Sequence, residues 1–321
     1  VYKRQATLNI TVDTISAPPA PVINAVALDD KINLAEMTAG VTINGSNVSG
    51  ATVALTIGGN VRAATVGSIN WTYTLTAADV AALGEGSKTI SATQSFGGKT
   101  STATSRTILV DTVAPVPTIS AIAADNLISA SEKSAFQITG VQGTGGTTIE
   151  VDLFGKKTVS FAAAGPSWSY NGTAADLNGL ADGVYTVQAR ATDAVGNVGA
   201  WVSKTVTIDT TAPTITSVSY QGFAADGVTP KTSLVAGDVL RLEITLSDSV
   251  VVPASAGDIV GTDANITMVY DAALSTPTKL VYSYVVQDTD RDLQGGVALA
   301  TGQNAGISDF KDAAGNPVDM S

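Results

Sequence analysis

The chain of 321 residues contains no cysteine and no histidine. Without thiols there is no disulfide framework, no thiolate nucleophile and no Cys-type zinc site. Without imidazole a Ser-His-Asp or Cys-His engine cannot be assembled, and the usual ligands for zinc, copper and non-haem iron are missing. Aromatic residues make up 5% and charged residues 14%, and no stretch approaches the roughly 18 consecutive apolar residues of a membrane helix, so no membrane span is expected. The net charge of −11 argues against nucleic-acid binding through phosphate neutralisation. It favours hard cations, which are held by oxygens of Asp, Glu, Asn and the backbone. A mixture rich in Thr, Val, Ala, Gly and Ser is that of all-β modules rather than of helical or disordered chain.

One short stretch recurs three times. Val12-Asp13-Thr14, Val110-Asp111-Thr112 and Ile208-Asp209-Thr210 each close an alternating apolar run and are followed by proline: Pro18 and Pro19, Pro115, and Pro213. The aspartates are 98 residues apart each time, from 13 to 111 and from 111 to 209. A long fixed period means an array of similar modules, each large enough to bury its own core. The expected division is the end of a preceding domain over 1–13, one domain over 14–111, a second over 112–209 and a divergent third over 210–321. Val1 to Gln5 resemble a translated sequencing adapter and are set aside; no signal peptide is visible.

Modules one and two align along most of their length. Asp29-Asp30-Lys31-Ile32-Asn33 with Glu36 faces Asp125-Asn126-Leu127-Ile128-Ser129 with Glu132. Trp71 and Tyr73 face Trp168 and Tyr170, and Thr76 to Asp79 faces Thr173 to Asp176, predicting a helical turn between strands. Short alternating runs separated by Gly, Asn and Asp predict an antiparallel β-sandwich in each. Module three ends on Asp312-Ala313-Ala314-Gly315-Asn316, which matches Asp193-Ala194-Val195-Gly196-Asn197 of module two. By that spacing its last strand would run past Ser321, so both ends of the chain read as cut within a domain.

The order VDTxAP, DDxIN with a following Glu, and DAxGN, at about 98-residue spacing, resembles the bacterial immunoglobulin-like repeats of giant adhesins exported by type I secretion. Module three, with its AGD, LSDSV, DTDRDL and DAAGN order, is similar to a second Ig-like subtype found beside them. The resemblance covers residues 6–321. It implies an all-β, elongated tandem array of Ig-like sandwiches, located outside the cell on the bacterial surface. It further implies a calcium-dependent, monomeric stalk serving cell adhesion or biofilm formation, with no enzymatic activity. The partners implied are the neighbouring repeats of the same chain, and a host-cell, surface or glycan ligand met through other domains.

In a sandwich of antiparallel strands A to G, the A–B, C–D and E–F connections lie at the exit end, and the B–C, D–E and F–G connections at the entry end. The expectation is therefore two carboxylate clusters at the joints. Asp29, Asp30, Glu36, Asp111, Asp193 and Asn197 would meet at the first; Asp125, Asn126, Glu132, Asp209, Asp312 and Asn316 would meet at the second. So many carboxylates repel one another unless neutralised, and Ca2+, which takes about 6–8 oxygens in loose geometry, suits such a donor set. Backbone carbonyls near Ile32 and Ile128 are further donors. Against this stands the ordinary role of Asp, Asn and Gly in turns. The joint at Asp13 departs from the pattern, because the F–G turn of module one, Gln94 to Lys99, carries no carboxylate and Lys99 stands where a cation would.

Other motifs are weaker. Asp288-Thr289-Asp290-Arg291-Asp292 starts like an EF-hand loop, but Leu293 and Leu299 replace its glycine and its glutamate, so it reads as the E–F connection of module three. Trp71 and Trp168 alternate with Tyr73 and Tyr170 on one strand face and read as core. The alternative function, carbohydrate-binding modules of a secreted hydrolase, needs an exposed aromatic patch. A glycosidase built on paired carboxylates needs a single cleft, which three similar modules do not offer.

Overall fold

A computed structural model describes residues 16–252, 256–260, 266–290 and 305–320. Asp13, Arg291, Asp292, Leu293 and Leu299 lie outside these residues, and so do the expectations attached to them. The regular structure of the described chain is mostly β-strand, paired for the most part antiparallel.

Before its first strand, the chain at Val22 and Asn24 runs alongside the Thr42–Ser46 strand (β2), the two amides donating to Ser46 and Asn44 carbonyls at 3.0 and 2.9 Å. It then turns through Val26–Leu28 and crosses to the other sheet as β1 (Lys31–Ile32). The crossing places Ala27, Leu28 and Asp30 at positive φ, and the same kink recurs at Ala123, Ala124 and Asn126. The short helix α1 (Leu34–Ala39) follows, closed by a capping box in which Asn33 and Glu36 each satisfy the other's backbone N–H. Next come β3 (Thr52–Ile57), β4 (Asn60–Ala63), β5 (Thr65–Val66) and β6 (Asn70–Thr74). Helix α2 (Ala77–Leu83) leads into β7 (Gly86–Phe96), β8 (Lys99–Thr100) and β9 (Thr104–Val110). One sheet runs β1-β9-β7-β3-β4 with β8 on β7, and the other β2-β6-β5. Strand β1 lies parallel to β9, Ile32 opposite Val110. Alternate residues of the two sheets meet in one core that holds Ile32, Ile43, Leu55, Trp71, Ile90 and Ile108.

The second sandwich repeats this plan with β10 (Thr118–Ile122), β11 (Leu127–Ile128), β12 (Ala135–Val141), β13 (Gly146–Leu153), β14 (Lys157–Ala162), β15 (Ser167–Thr173), β16 (Gly183–Asp193) and β17 (Val202–Ile208). Its sheets run β10-β12-β15 and β11-β17-β16-β13-β14, with β11 again parallel to the last strand. Trp168, Phe136, Ile138 and Val151 lie in its core. Trp71 and Trp168 are both buried, as their alternation with tyrosine required.

The third unit contains β18 (Ile215–Phe223), β19 (Pro230–Lys231), β20 (Val239–Leu246), β21 (Ile259–Val260), β22 (Thr267–Tyr270) and β23 (Lys279–Val285), in the order β19-β18-β20-β23-β22-β21, and a short helix α3 (Ala305–Ser308). Its core gathers Leu242, Ile244, Leu280, Tyr282, Ile307 and Phe310.

A tyrosine–aspartate lock marks the same place in all three units. The Tyr73 hydroxyl donates to Asp79 at 2.6 Å, that of Tyr170 to Asp176 at 3.0 Å, and that of Tyr284 to Asp290 at 2.9 Å. In each, the amide three residues ahead of the aspartate donates to the same carboxylate: Thr76 at 2.9 Å, Thr173 at 3.0 Å and Gln287 at 2.7 Å. The locks sit in the connections that follow β6, β15 and β23. Asp79 is wholly buried and pairs with Arg62 at 2.7 Å, while Asp176 pairs with Lys157 at 2.8 Å.

Burial opposes ionisation of Asp79, but the donors Tyr73, Thr76 and Arg62 outweigh it and hold its carboxyl below the ordinary aspartate range. A depressed folded-state value contributes stability above the unfolded aspartate's pKa of about 3.9, and that stability is lost as pH falls below it. Asp79→Asn is expected to cost about 1–3 kcal/mol at pH 7, from unsatisfied buried partners. It should also flatten the decline in thermal stability between about pH 5 and 2; calorimetry of the variant and the parent across that range checks both.

Candidate functional site

Where one sandwich ends and the next begins, an asparagine side chain bridges two backbone groups of the preceding module. At the first joint the Asp111 amide donates to the Ile32 carbonyl at 3.0 Å, which ends the β1–β9 ladder. The Asp111 carbonyl accepts a hydrogen bond from Asn197 Nδ2 at 2.8 Å. The Oδ1 of the same carboxamide accepts the Leu34 amide at 2.8 Å. Leu34 opens α1, and its N–H is one of the donors that a helix start leaves without an internal partner. A neighbouring bond runs the other way across the joint, from Asn33 Nδ2 to the Val195 carbonyl at 3.1 Å.

The turn that presents Asn197 is itself braced. Asp193 Oδ1 accepts the amides of Val195 and Asn197 at 3.0 and 2.9 Å, and its Oδ2 accepts Asn197 Nδ2 at 2.7 Å. The carboxylate thereby fixes which way the carboxamide faces. Gly196 completes the turn at φ 94°, left-handed backbone that a side chain rarely adopts. Asp193 and Asn197 are both buried.

The second joint repeats the arrangement. Asp209 donates its amide to Ile128 at 3.0 Å, and the Asp209 carbonyl accepts Asn316 Nδ2 at 2.8 Å. Asn316 Oδ1 accepts the Ala130 amide at 2.8 Å. Asp312 braces the turn through the Asn316 amide at 2.9 Å and Nδ2 at 2.8 Å, and Gly315 stands at φ 88°.

Threonines of the recurring motif have their own partners. The amide and hydroxyl of Thr112 both donate to Glu85, and the hydroxyls of Thr210 and Thr211 donate to Asp182 at 2.9 and 2.6 Å. Glu85 and Asp182 each precede the glycine that opens the penultimate strand of their sandwich. Their equal placement in the aligned modules was the signal available for them. The Leu34 and Ala130 amides had no comparable signal, because backbone groups leave no letter in a sequence.

Of the residues expected at the first joint, Asp111, Asp193 and Asn197 are brought together, and Glu36 lies in the first turn of α1, its Oε2 accepting the amide of the N-cap Asn33 at 3.0 Å. Asp29 and Asp30 stand at the sheet-switching kink instead. Asp29 accepts the Lys31 amide at 3.0 Å. Asp30 is gripped by Arg106 at 2.5 and 2.6 Å, and that hydrogen bonding holds its carboxyl below the ordinary range. The reason is the split first strand: residues 29 and 30 belong to the crossing between sheets, and the A–B connection proper begins only at Asn33.

At the second joint Asp209, Asp312 and Asn316 come together, and Glu132 caps its turn through the Ser129 amide at 3.1 Å. Asn126 accepts the Ile122 amide at 3.3 Å within the kink. Asp125 accepts the Leu127 amide at 2.9 Å, and it also lines a cleft of about 290 Å³ with Asp309, Lys311 and Asp312. Burial pushes the Asp209 carboxyl up, reinforced by the charges of Asp312, Asp182 and Asp248 and opposed by the Thr211 amide. Among the described residues no three Asp or Glu side chains stand close enough to share a metal ion.

At the entry end of module one Gln94 lies near the end of β7. Its Oε1 accepts the Val48 amide at 2.8 Å and its Nε2 donates to the Pro19 carbonyl at 2.6 Å, both partners within the same sandwich and its leading segment. Lys99 lies in the following hairpin opposite Phe96. Trp201 is about one-third exposed, with the Arg190 guanidinium 4.6 Å from its ring centre.

Sandwiches in series, each with a first strand divided between its two sheets, define a tandem Ig-like protein. Residues 170–255, from β15 into the third unit, match the model of the bacterial Ig-like domain (group 3). No curated protein matches the chain. Among solved structures, one concerned with host cell surface retention of a bacterial ice-binding adhesin is 18% identical, with 95% of this chain and all of that one covered, at a TM-score of 0.44. A Ca2+-stabilized adhesin with which an Antarctic bacterium binds ice is 21% identical over 95% of this chain and 75% of that one, at 0.42. A bacterial Ig-like domain of the M. primoryensis ice-binding adhesin is 28% identical over 30% of this chain and 98% of its own, at 0.23. At these TM-scores the likenesses carry no functional argument, and the functional reading rests on the joints.

The left-handed glycines give a direct check of the turn. A Cβ on Gly315 would meet no neighbour within 4 Å, so only its backbone conformation resists substitution. Gly315→Ala is expected to destabilise the third unit by about 1–2 kcal/mol, and Gly315→Asn by less, measured by urea denaturation.

Proposed function

We propose that this chain is a spacer from a bacterial surface adhesin, a series of Ig-like modules that holds a binding domain at a distance from the cell. The observation that carries this reading is the duplicated joint. Two successive modules meet through the same four groups at nearly the same distances, as a repeated load-transmitting connection requires. The reading places the chain outside the cell, exported by type I secretion, in cell adhesion or biofilm formation, and as a monomer without enzymatic activity. Its partners are neighbouring repeats, with any host-cell, surface or glycan ligand met through other domains.

Calcium belongs to the same proposal. The donor chemistry fits a hard cation, since only oxygens are on offer. The geometry limits how it is held: with no three carboxylates converging among the described residues, backbone carbonyls and water must complete the shell. Glu36, Asp111 and Asp193 at the first joint, and Glu132, Asp209 and Asp312 at the second, with Asp125 on the cleft beside Asp312, would provide the charge, while Asp29, Asp30 and Asn126 lie at the kinks. When bound, the ion neutralises a joint; the amides and the Asn carboxamides do the aligning.

The second joint gives the sharper test. A carboxyl whose folded-state pKa is raised costs stability once pH exceeds that value, because the folded state must then carry an unfavourable charge. Asp209→Asn should therefore raise thermal stability in chelator at pH 7. In calcium the parent should gain roughly 2.7 kcal/mol at a hundredfold excess over the dissociation constant, and the variant should lose that increment at this joint. Calorimetric titration and thermal unfolding in calcium and in chelator check both signs. An unchanged calcium response would refute Asp209 as a ligand.

A further inference from the structure

The exit end of each sandwich presents a matched pair of backbone groups. One is an acceptor, the carbonyl of Asp111 or Asp209, at the end of the parallel ladder. The other is a donor, the amide of Leu34 or Ala130, at the start of the turn beside it. A primary carboxamide has an acceptor and a donor side by side and answers both at once. Neither a carboxylate, which lacks the donor, nor an ammonium, which lacks the acceptor, can do so.

We infer that this donor–acceptor pair is a docking surface for the Asp-x-x-Gly-Asn turn of a following module, and that it sets the joint's register without a metal. The inference rests on the spacer reading and adds the partner chemistry: a tight turn in which aspartate orients an asparagine carboxamide. Three features support it. The contacts are direct, at 2.8 Å in all four cases. The asparagines are nearly fully buried, Asn197 3% and Asn316 2% exposed, so the bonds are sheltered from competing water. Each bracing aspartate spends its oxygens on the turn's own amides and carboxamide.

Amide exchange of the full chain, resolved residue by residue by NMR, reads the contact directly, because helix-start amides such as Leu34 have no internal partner to slow them. The Leu34 and Ala130 amides are expected to be protected in calcium and equally in chelator. Asn197→Ala should speed exchange of Leu34 at least tenfold and leave Ala130 unchanged; Asn316→Ala should do the reverse. The unaffected joint reports in each variant that the chain is folded. Exposure of Leu34 and Ala130 by chelator alone would overturn the inference, as would alanine variants in which both amides stay protected. Calcium affinity measured on the same samples tests the proposed cation role separately, so either idea can fail without the other.

Discussion

A planar carboxamide bridging two backbone groups is the interaction on which the arrangement of this chain depends. Everything around Asn197 and Asn316 serves to present that group in one orientation. The aspartate four residues earlier accepts from the carboxamide nitrogen, so the oxygen must face the neighbouring module. The glycine between them takes the left-handed conformation that closes the turn. On the opposite side, the parallel pairing of β1 with β9 and of β11 with β17 delivers the last carbonyl beside the first amide of the next connection. A direct hydrogen bond contributes only about 1 kcal/mol net, but two from one buried group constrain position and rotation together.

Within each sandwich the same economy recurs in the tyrosine–aspartate lock. One aspartate collects a hydroxyl, an amide and, in the first two modules, a cation, at the point where the chain leaves one sheet for the other. Asp79 and Asp176 are thus held as charged, satisfied groups beside the core, where an unpaired carboxylate would be costly. The locks fix the geometry of the penultimate strand, and the groups just ahead of that strand, Glu85 and Asp182, then hold the threonines of the joint.

Much of this was legible in the residues. The 98-residue period, the alternation around Trp71 and Trp168, and the matched turns at Asp193 and Asp312 lead to tandem Ig-like sandwiches and to the joints. What the pattern did not show is that Asp29, Asp30, Asp125 and Asn126 stand at the kink of the first strand, although Asp125 also lines the cleft beside Asp312. Counting whole strands puts them in an end connection, whereas the first strand divides midway and leaves them at a crossing between sheets. The dividing kink needs positive φ at Ala27 and Leu28, residues whose identity does not announce it. Asn197 drew notice as an oxygen donor for a cation. Its nitrogen, which makes half of the contact, became evident only once the Asp111 carbonyl was in place opposite it.

The central claim is that adjacent modules share one rigid frame set by direct hydrogen bonds. Residual dipolar couplings of the full chain in chelator-treated buffer measure this most directly, by giving the alignment frames of residues 16–111 and 112–209 separately. The account predicts a single common frame for the two, lost on Asn197→Ala. Independent frames in the parent protein without calcium would contradict it.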